Sequence, residues 1–337
     1  MTESANAAEE PPQVDVAGGE EAIADPSLAR LRAALTERLG PERVRVAEPL
    51  ARHTSYRIGG PADLFVSVES AEELAAAVTL ARENGVPCFV LGAGSNVLVS
   101  DRGVRGLVVQ NRARAVTWTE RGHRALVTAE SGASLGHLAR QAARRGWAGL
   151  AWACGIPGTV GGAVVHNAGA HGSCMADVLQ SVAILDDSNL TQRMAAGKLG
   201  LGYRGSIFRR ETGRKWTVLS AEMGLRQGDP EQLASRIADH DAWRRAHQPA
   251  GASCGSVFKN PPGDYAGRLI EAAGLKGERA GGAEIASLHA NFFVNTGGAT
   301  ADDVMALIDR ARHEVMLRFG VALELEIELA GEWEERG

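Results

Sequence analysis

Gly155-Ile156-Pro157-Gly158-Thr159-Val160-Gly161-Gly162-Ala163-Val164-Val165-His166-Asn167-Ala168-Gly169-Ala170 is the stretch on which the reading of this chain turns. It lies within Gly146–Ala176, which holds no Asp, Glu, Lys or Arg. A spanning helix needs about 20 predominantly apolar residues. Here the uncharged run Gly146–Val165 carries six glycines and Pro157, which are poor helix formers. Membrane insertion is therefore not expected. Glycine gives up more backbone entropy on folding than any other residue. A run so dense in it implies either several positions with positive φ or a flat ligand lying against the main chain.

A second glycine loop, Gly92-Ala93-Gly94-Ser95-Asn96-Val97, opens like a dinucleotide fingerprint. Its sixth position is Val97, and strand-like VLVSD follows where a helix is required, so a Rossmann site is rejected. Consecutive backbone N–H groups in such a loop can still cradle phosphate; the plain alternative is a tight turn between strands. Two glycine loops, one in a charge-free setting, favour a large, partly apolar cofactor carrying a pyrophosphate.

The composition narrows the class. The chain has 337 residues, 36 Lys+Arg and 41 Asp+Glu, for a formal charge of −5. Its 45% hydrophobic and 23% charged content is that of a globular protein. Aromatics at 5% are too few for stacking platforms. Residues 1–26 hold seven acids and no Lys or Arg, so −5 plus 7 leaves the other 311 residues at +2. Such a body suits an anionic small molecule and is too weakly cationic for nucleic acid. Cys88, Cys154, Cys174 and Cys254 form no C-x-x-C pair. The N-terminus has no basic and apolar signal, so these read as reduced thiols of a cytoplasmic protein without a metal site.

Along the chain, residues 1–26 read as a disordered acidic tail. Ser27 is read as the N-cap of a helix ending at Gly40. HTSYRIGGPADLFVSV is turn then strand, and Ser70 with Glu73 forms a capping box opening the helix Ala71–Asn84. VPCFVLGAGSNVLVSDRGVRGLVVQN reads as strand, glycine loop, strand, turn, strand. A strand and helix follow in ALVTAESGASLGHLARQAARRG, then strands in LQSVAILD and KWTVLSAEMGL. Beyond Pro230 come helices over Glu231–Ala246 and Asp264–Gly274, a short strand at Asn291–Asn295, and a helix capped by Thr300 and ended by Gly320. VALELEIEL alternates strictly and reads as a strand, with Glu324, Glu326 and Glu328 on one face. The class is α+β, with a helix-rich domain beginning near residue 228.

Seven segments in order, SYRIGGPAD, LGAGSNVLVSD, GIPGTVGGAVVHNAGA, GYRGSIF, CGSVFKNP, HANFFVN and LELEIE, span residues 55–328. Together they resemble the UDP-N-acetylenolpyruvoylglucosamine reductases, flavoenzymes that complete UDP-N-acetylmuramate for peptidoglycan. The 52 residues from Arg204 to Ser256 resemble the shorter, type II form. The resemblance implies non-covalent FAD in a vanillyl-alcohol-oxidase/PCMH-type domain and NADPH as hydride donor. It also implies a UDP-sugar substrate, held by a smaller α+β domain. On that pattern residues 27–70 with 321–337 make a first FAD-binding subdomain, 71–227 a second, and 228–320 the substrate-binding domain.

The resemblance also implies the site. Hydride passes from NADPH through FAD to C3 of the enolpyruvyl group, and a proton reaches C2. Negative charge builds on the substrate carboxylate, where cations and preorganised donors are needed. Arg204 matches the catalytic arginine, Ser256 the proton donor and Glu326 the catalytic glutamate. Arg57, Gly92, Gly94, Ser95 and Asn96 are candidate FAD contacts, as are Gly155, Ile156, Pro157, Gly158, Thr159, Gly161, Gly162, Asn167 and Ala168. Tyr203, Lys259 and Asn260 are candidates for the substrate. Read without the family, Ser256 is an ordinary loop serine, Arg204 a surface ion-pair partner and Glu326 one of three acids on a solvated face. His289 and Asn291 have core or turn roles as alternatives. Ala286 departs from the family, which has a serine there. Competing readings are another FAD-dependent oxidase or dehydrogenase of the same fold, and an inactive binding module.

Overall fold

Helix α1, Pro26–Leu39, starts two residues earlier than the sequence suggests. Asp25 is its N-cap, accepting the Ser27 N–H at 2.7 Å, and Pro26 takes the first helical position, where its missing N–H costs nothing. Ser27 is thus inside the helix. The computed structural model describes residues 25–209 and 215–334. The expected acidic tail, apart from Asp25 and Pro26, lies outside them.

The first lobe is a four-stranded sheet in the order Val44–Pro49, Pro61–Val68, Val104–Asn111, Cys88–Leu91. The first pair is antiparallel and the other two are parallel. Leu31 and Leu35 of α1 pack with Leu74 and Val78 of α2 (Ala71–Glu83) over this sheet. Ser70 caps α2 through the Glu73 N–H, as expected. The return bond of the expected box goes elsewhere: the Glu73 carboxylate accepts from Glu69 N–H and pairs with Arg43.

The second lobe is an antiparallel sheet in the order Thr191–Ala195, Leu179–Leu185, Thr217–Gln227, Arg124–Glu130, Val116–Arg121. Helices α3 (Leu135–Arg144) and α4 (Val160–His166) pack into its core. Helix α4 forms inside the glycine-rich stretch because Thr159 caps it and tertiary contacts hold it. Helix α5, Pro230–His247, sends Leu233 and Ile237 into this same core, and Asp241 pairs with Arg140 at 2.9 Å.

The third core is built by α6 (Ala266–Ala272), α7 (Ala301–Phe319) and a small sheet of Arg279–Ala280, Ala283–Ile285 and Phe293–Asn295. Helix α6 is shorter than expected at both ends. Thr300 and Gly320 bound α7 as the sequence indicates. Phe258, Phe293, Leu269 and Leu307 fill this core together with Tyr56 and Leu98 of the first lobe. The terminal VALELEIEL is not one continuous strand. Only Glu328–Ala330 is extended in a ladder, parallel to Val97–Val99, while Leu325 bridges Phe258. That break turns Glu326 inward while Glu324 stays exposed. Among the described residues no helix is long and apolar enough to cross a membrane, and all four cysteines are free thiols.

Candidate functional site

The two glycine loops meet. Ser95 Oγ donates to Pro157 O at 3.1 Å, and a Cβ on Gly92 would lie 2.8 Å from Thr159 Oγ1. Gly94 has φ +63, and a Cβ there would fall 2.2 Å from His53 O. This position therefore admits only glycine. The Tyr56 turn closes the same corner: Ser55 N–H donates to Gly94 O and Ser55 Oγ to Ser253 O.

Backbone donors are left over where the loops face each other. The N–H groups of Ala93, Gly94, Ser95 and Asn96, and those of Gly158 and Thr159, donate to no described residue. All but the exposed Ala93 are buried or half-buried, where main-chain donors need a partner, and clustered N–H groups are a nest for anionic oxygens. The donor set fits a pyrophosphate. Gly162 has open space beside it, its nearest neighbour being Thr159 Oγ1 at 3.6 Å. Gly155 and Gly161 serve packing instead: added Cβ atoms would press on Arg244 at 2.4 Å and Ser131 at 2.8 Å.

Below the loops lies the charged part of the site. Arg204 has φ +51, a costly conformation for a side-chain-bearing residue. Paired backbone bonds between Gly202 and Gly205 hold it there. Its Nη1 donates to Gly169 O at 3.1 Å, and its Nε lies 2.5 Å from Glu326 Oε1. Burial pushes the Glu326 carboxyl above its ordinary value, outweighing the opposing pull of Arg204, Arg209 and Lys259. Ser256 adjoins this pair through the backbone: Glu326 N–H donates to Val257 O at 2.8 Å. The Ser256 hydroxyl is half-buried and makes no hydrogen bond to a described residue.

Several candidates hold the frame. Asn167, with φ +43, donates to Gly202 O at 2.8 Å and accepts from Ala176 N–H at 2.9 Å. Its side chain is thus committed to the chain, fixing the turn that carries Arg204. Asn260 Oδ1 accepts the Ala266 N–H at the start of α6, and its own N–H donates to the Tyr203 hydroxyl. The Tyr203 ring is exposed, and Lys259 Nζ pairs with Glu324 at 3.1 Å. Arg57 is exposed with φ +56 and reaches no carboxylate among the described residues. Ile156 packs on the second-lobe core, and Ala168 ties back to Ala163 through its N–H.

The site also uses Asn291, for which the sequence left core or turn roles open, and two residues the sequence reading passed over. Asn291, buried, brackets Phe258: it accepts the Phe258 N–H at 2.9 Å and donates to Phe258 O at 2.8 Å. His166 closes α4 beside Asn96 and Glu328. Burial, then the charges of Arg209 and Arg204, push it down to about 4, so it is neutral at physiological pH. Arg209 reaches Glu326 O at 3.5 Å. Nothing in their spacing distinguishes these three; only the fold brings them together.

Two family models match along the chain. One, described as an FAD binding domain, covers residues 62–194, and the other, the C-terminal domain of UDP-N-acetylenolpyruvoylglucosamine reductase, covers 247–330. UDP-N-acetylenolpyruvoylglucosamine reductase 2 of Symbiobacterium thermophilum is 48% identical over 91% of this chain and 97% of its own length. The chain belongs to the UDP-N-acetylenolpyruvoylglucosamine reductase family. The reductase of Rubrobacter xylanophilus is 50% identical over 85% of this chain and 94% of its own. The crystal structure of the reductase from Thermus caldophilus superimposes with a TM-score of 0.72 at 38% identity, covering 85% of this chain and 99% of that one. As a reductase of this family the chain is an FAD-dependent oxidoreductase of α+β architecture, the class expected from its sequence. The nest of unpaired N–H groups is in keeping with that cofactor.

Proposed function

We infer that the chain catalyses NADPH-dependent reduction of UDP-N-acetylglucosamine enolpyruvate to UDP-N-acetylmuramate, an early step of peptidoglycan precursor synthesis, in the cytoplasm. Its relatives' printed names supply the activity. The observation that carries the reading to this chain's own residues is the Arg204–Glu326 pair, set between the glycine loops and the Ser256 segment.

Bound FAD supplies hydride exchange between NADPH and the enolpyruvyl carbon. The N–H groups of residues 93–96 and 158–159 would hold its pyrophosphate. Arg204 presents a planar cation to the substrate carboxylate, a task for which its fork suits a carboxylate better than lysine would. Glu326, whose carboxyl burial pushes above its ordinary value, can share a proton with that carboxylate as negative charge accumulates. Ser256 Oγ holds the proton delivered to C2. Asn167 and Asn291 position these groups without touching substrate. Tyr203, Lys259 and Asn260 line the side from which the sugar nucleotide arrives.

The domain division follows the packing. We place the second lobe's end after α5, so that the substrate domain begins near residue 248 and not at 228, because α5 belongs to the second-lobe core. The first lobe then runs to about residue 111, since α2 and the strands to Asn111 share its sheet.

The test mixes FAD-loaded protein, NADPH and UDP-N-acetylglucosamine enolpyruvate and follows nicotinamide consumption. Oxidation dependent on the sugar nucleotide is expected. Consumption no faster than in a control lacking it overturns the assignment.

A further inference from the structure

Three arginines stand in one cross-strand line at the far end of the second-lobe sheet. Arg121 is opposite Arg124, and Arg124 is opposite Arg226. Directly opposed residues share a face, with Cβ atoms about 4.5–5.5 Å apart. All three are exposed, and none pairs with a carboxylate among the described residues. Like charges set directly opposite weaken a sheet, so an unpartnered file of three needs an explanation.

The same face supplies one. The next positions inward are Thr119, Leu126 and Gly224, again in register. Beside both lines lies an open groove of about 880 Å³, bounded on its other side by Ala148, Gly149, Ser173, Asp177 and Val178, within the usual range for a small-molecule site. Two carboxylates are near. Asp177 accepts from Cys174 N–H at 2.9 Å, and Asp229 caps α5 through the Glu231 N–H at 2.9 Å. Both are thus engaged locally and do not reach the arginines as ion-pair partners. Arg124 is seven residues along its strand from Ser131, against which Gly161 packs, which is about 23 Å at roughly 3.3 Å per residue. The groove shares no residue with the catalytic cleft.

We propose that Arg121, Arg124 and Arg226, with the groove over Leu126, form a binding site for a small polyanion. The ligand class has two or more adjacent phosphate or carboxylate groups and an apolar part that lies over Leu126, beside the Gln180 amide that covers Gly224. Adjacent anionic groups bridge neighbouring guanidinium ions and convert the repulsion within the file into attraction. The proposal does not depend on the reductase assignment.

Inorganic pyrophosphate serves as the probe, titrated calorimetrically into the FAD-loaded protein at low ionic strength. Saturable binding is expected, weakened roughly 10- to 100-fold by Arg124→Gln, the scale of a lost charge-assisted hydrogen bond, and largely kept by Arg124→Lys. A second readout guards against an unfolded variant. Without anion, Arg124→Gln raises Tm by roughly 1–3 °C as the repulsion is relieved. Pyrophosphate raises the Tm of the unmodified protein and leaves that of the variant in place. Equal affinities for the unmodified protein and Arg124→Gln, or equal Tm shifts on adding pyrophosphate, overturn the proposal.

Discussion

Oε1 of Glu326 lies 2.5 Å from Nε of Arg204, yet the Nε–H makes no aligned hydrogen bond. The pair is in contact without being satisfied, because the turn at Arg204 and the Val257–Glu326 bond fix the two backbones independently. Arg204 Nη2, which bonds to no described residue, keeps donor capacity for an incoming carboxylate. Glu326→Gln removes the charge and the proton it can share, so kcat for the sugar nucleotide falls by about 10²–10³, the scale of losing one preorganised stabiliser. Stopped-flow reduction of the flavin by NADPH alone changes little. Equal loss in both half-reactions means Glu326 serves the fold and not the second hydride step.

Ser256→Ala separates the half-reactions more sharply. NADPH still bleaches the flavin, while reoxidation by the enolpyruvyl substrate slows by about 10²–10⁴, as for loss of a general acid. Full turnover in this variant excludes the serine as proton donor.

His166 makes stability depend on acid. Its side chain is 15% exposed, and its pKa in the fold is about 4 against 6.5 for the free imidazole. Between those values the unfolded chain binds more protons than the folded one, so stability rises with pH there. The contribution is complete above about pH 6.5 and disappears as pH falls toward 4, a change of about 3 kcal/mol. Urea unfolding of the unmodified protein and His166→Gln at pH 7 and pH 4.5 measures it. The variant loses less on acidification; parallel losses assign the effect to other groups.

Asn291→Ala strips both hydrogen bonds from the Phe258 peptide. With buried donors and acceptors left unmade, it destabilises by about 2–4 kcal/mol, read from the urea midpoint. Because the same peptide adjoins Ser256, kcat also drops. A stable variant with reduced kcat points to positioning alone.

Gly94→Ala places a methyl against His53 O in a conformation that alanine resists. The loop shifts and its N–H groups lose their alignment. FAD then dissociates on gel filtration while the apoprotein remains folded by circular dichroism. Retention of FAD under those conditions separates the loop from cofactor binding.

Much of this was legible in residue order. The glycine loops, the caps at Ser70 and Thr300 and the alternating strand at Pro61–Val68 all follow from local chemistry, and the folded chain keeps them. What escaped was decided by distant partners. Helix α4 contains Gly161 and Gly162, which argue against a helix locally; Ser131 against its flank makes small residues an asset. The acidic alternation of 324–328 suggests one solvated face, but the bridge between Phe258 and Leu325 breaks the strand and buries Glu326. Leu233 and Ile237 carry no mark of which core they join. Asn167 looks like a ligand contact in sequence and is a brace in space.

Tyr56 and Leu98 come from the first lobe yet sit among Phe258, Leu269 and Leu307. A swing of the C-terminal portion as a rigid flap would tear those aromatic and aliphatic contacts apart. A fragment beginning near residue 248 would therefore be missing two of its own keystones.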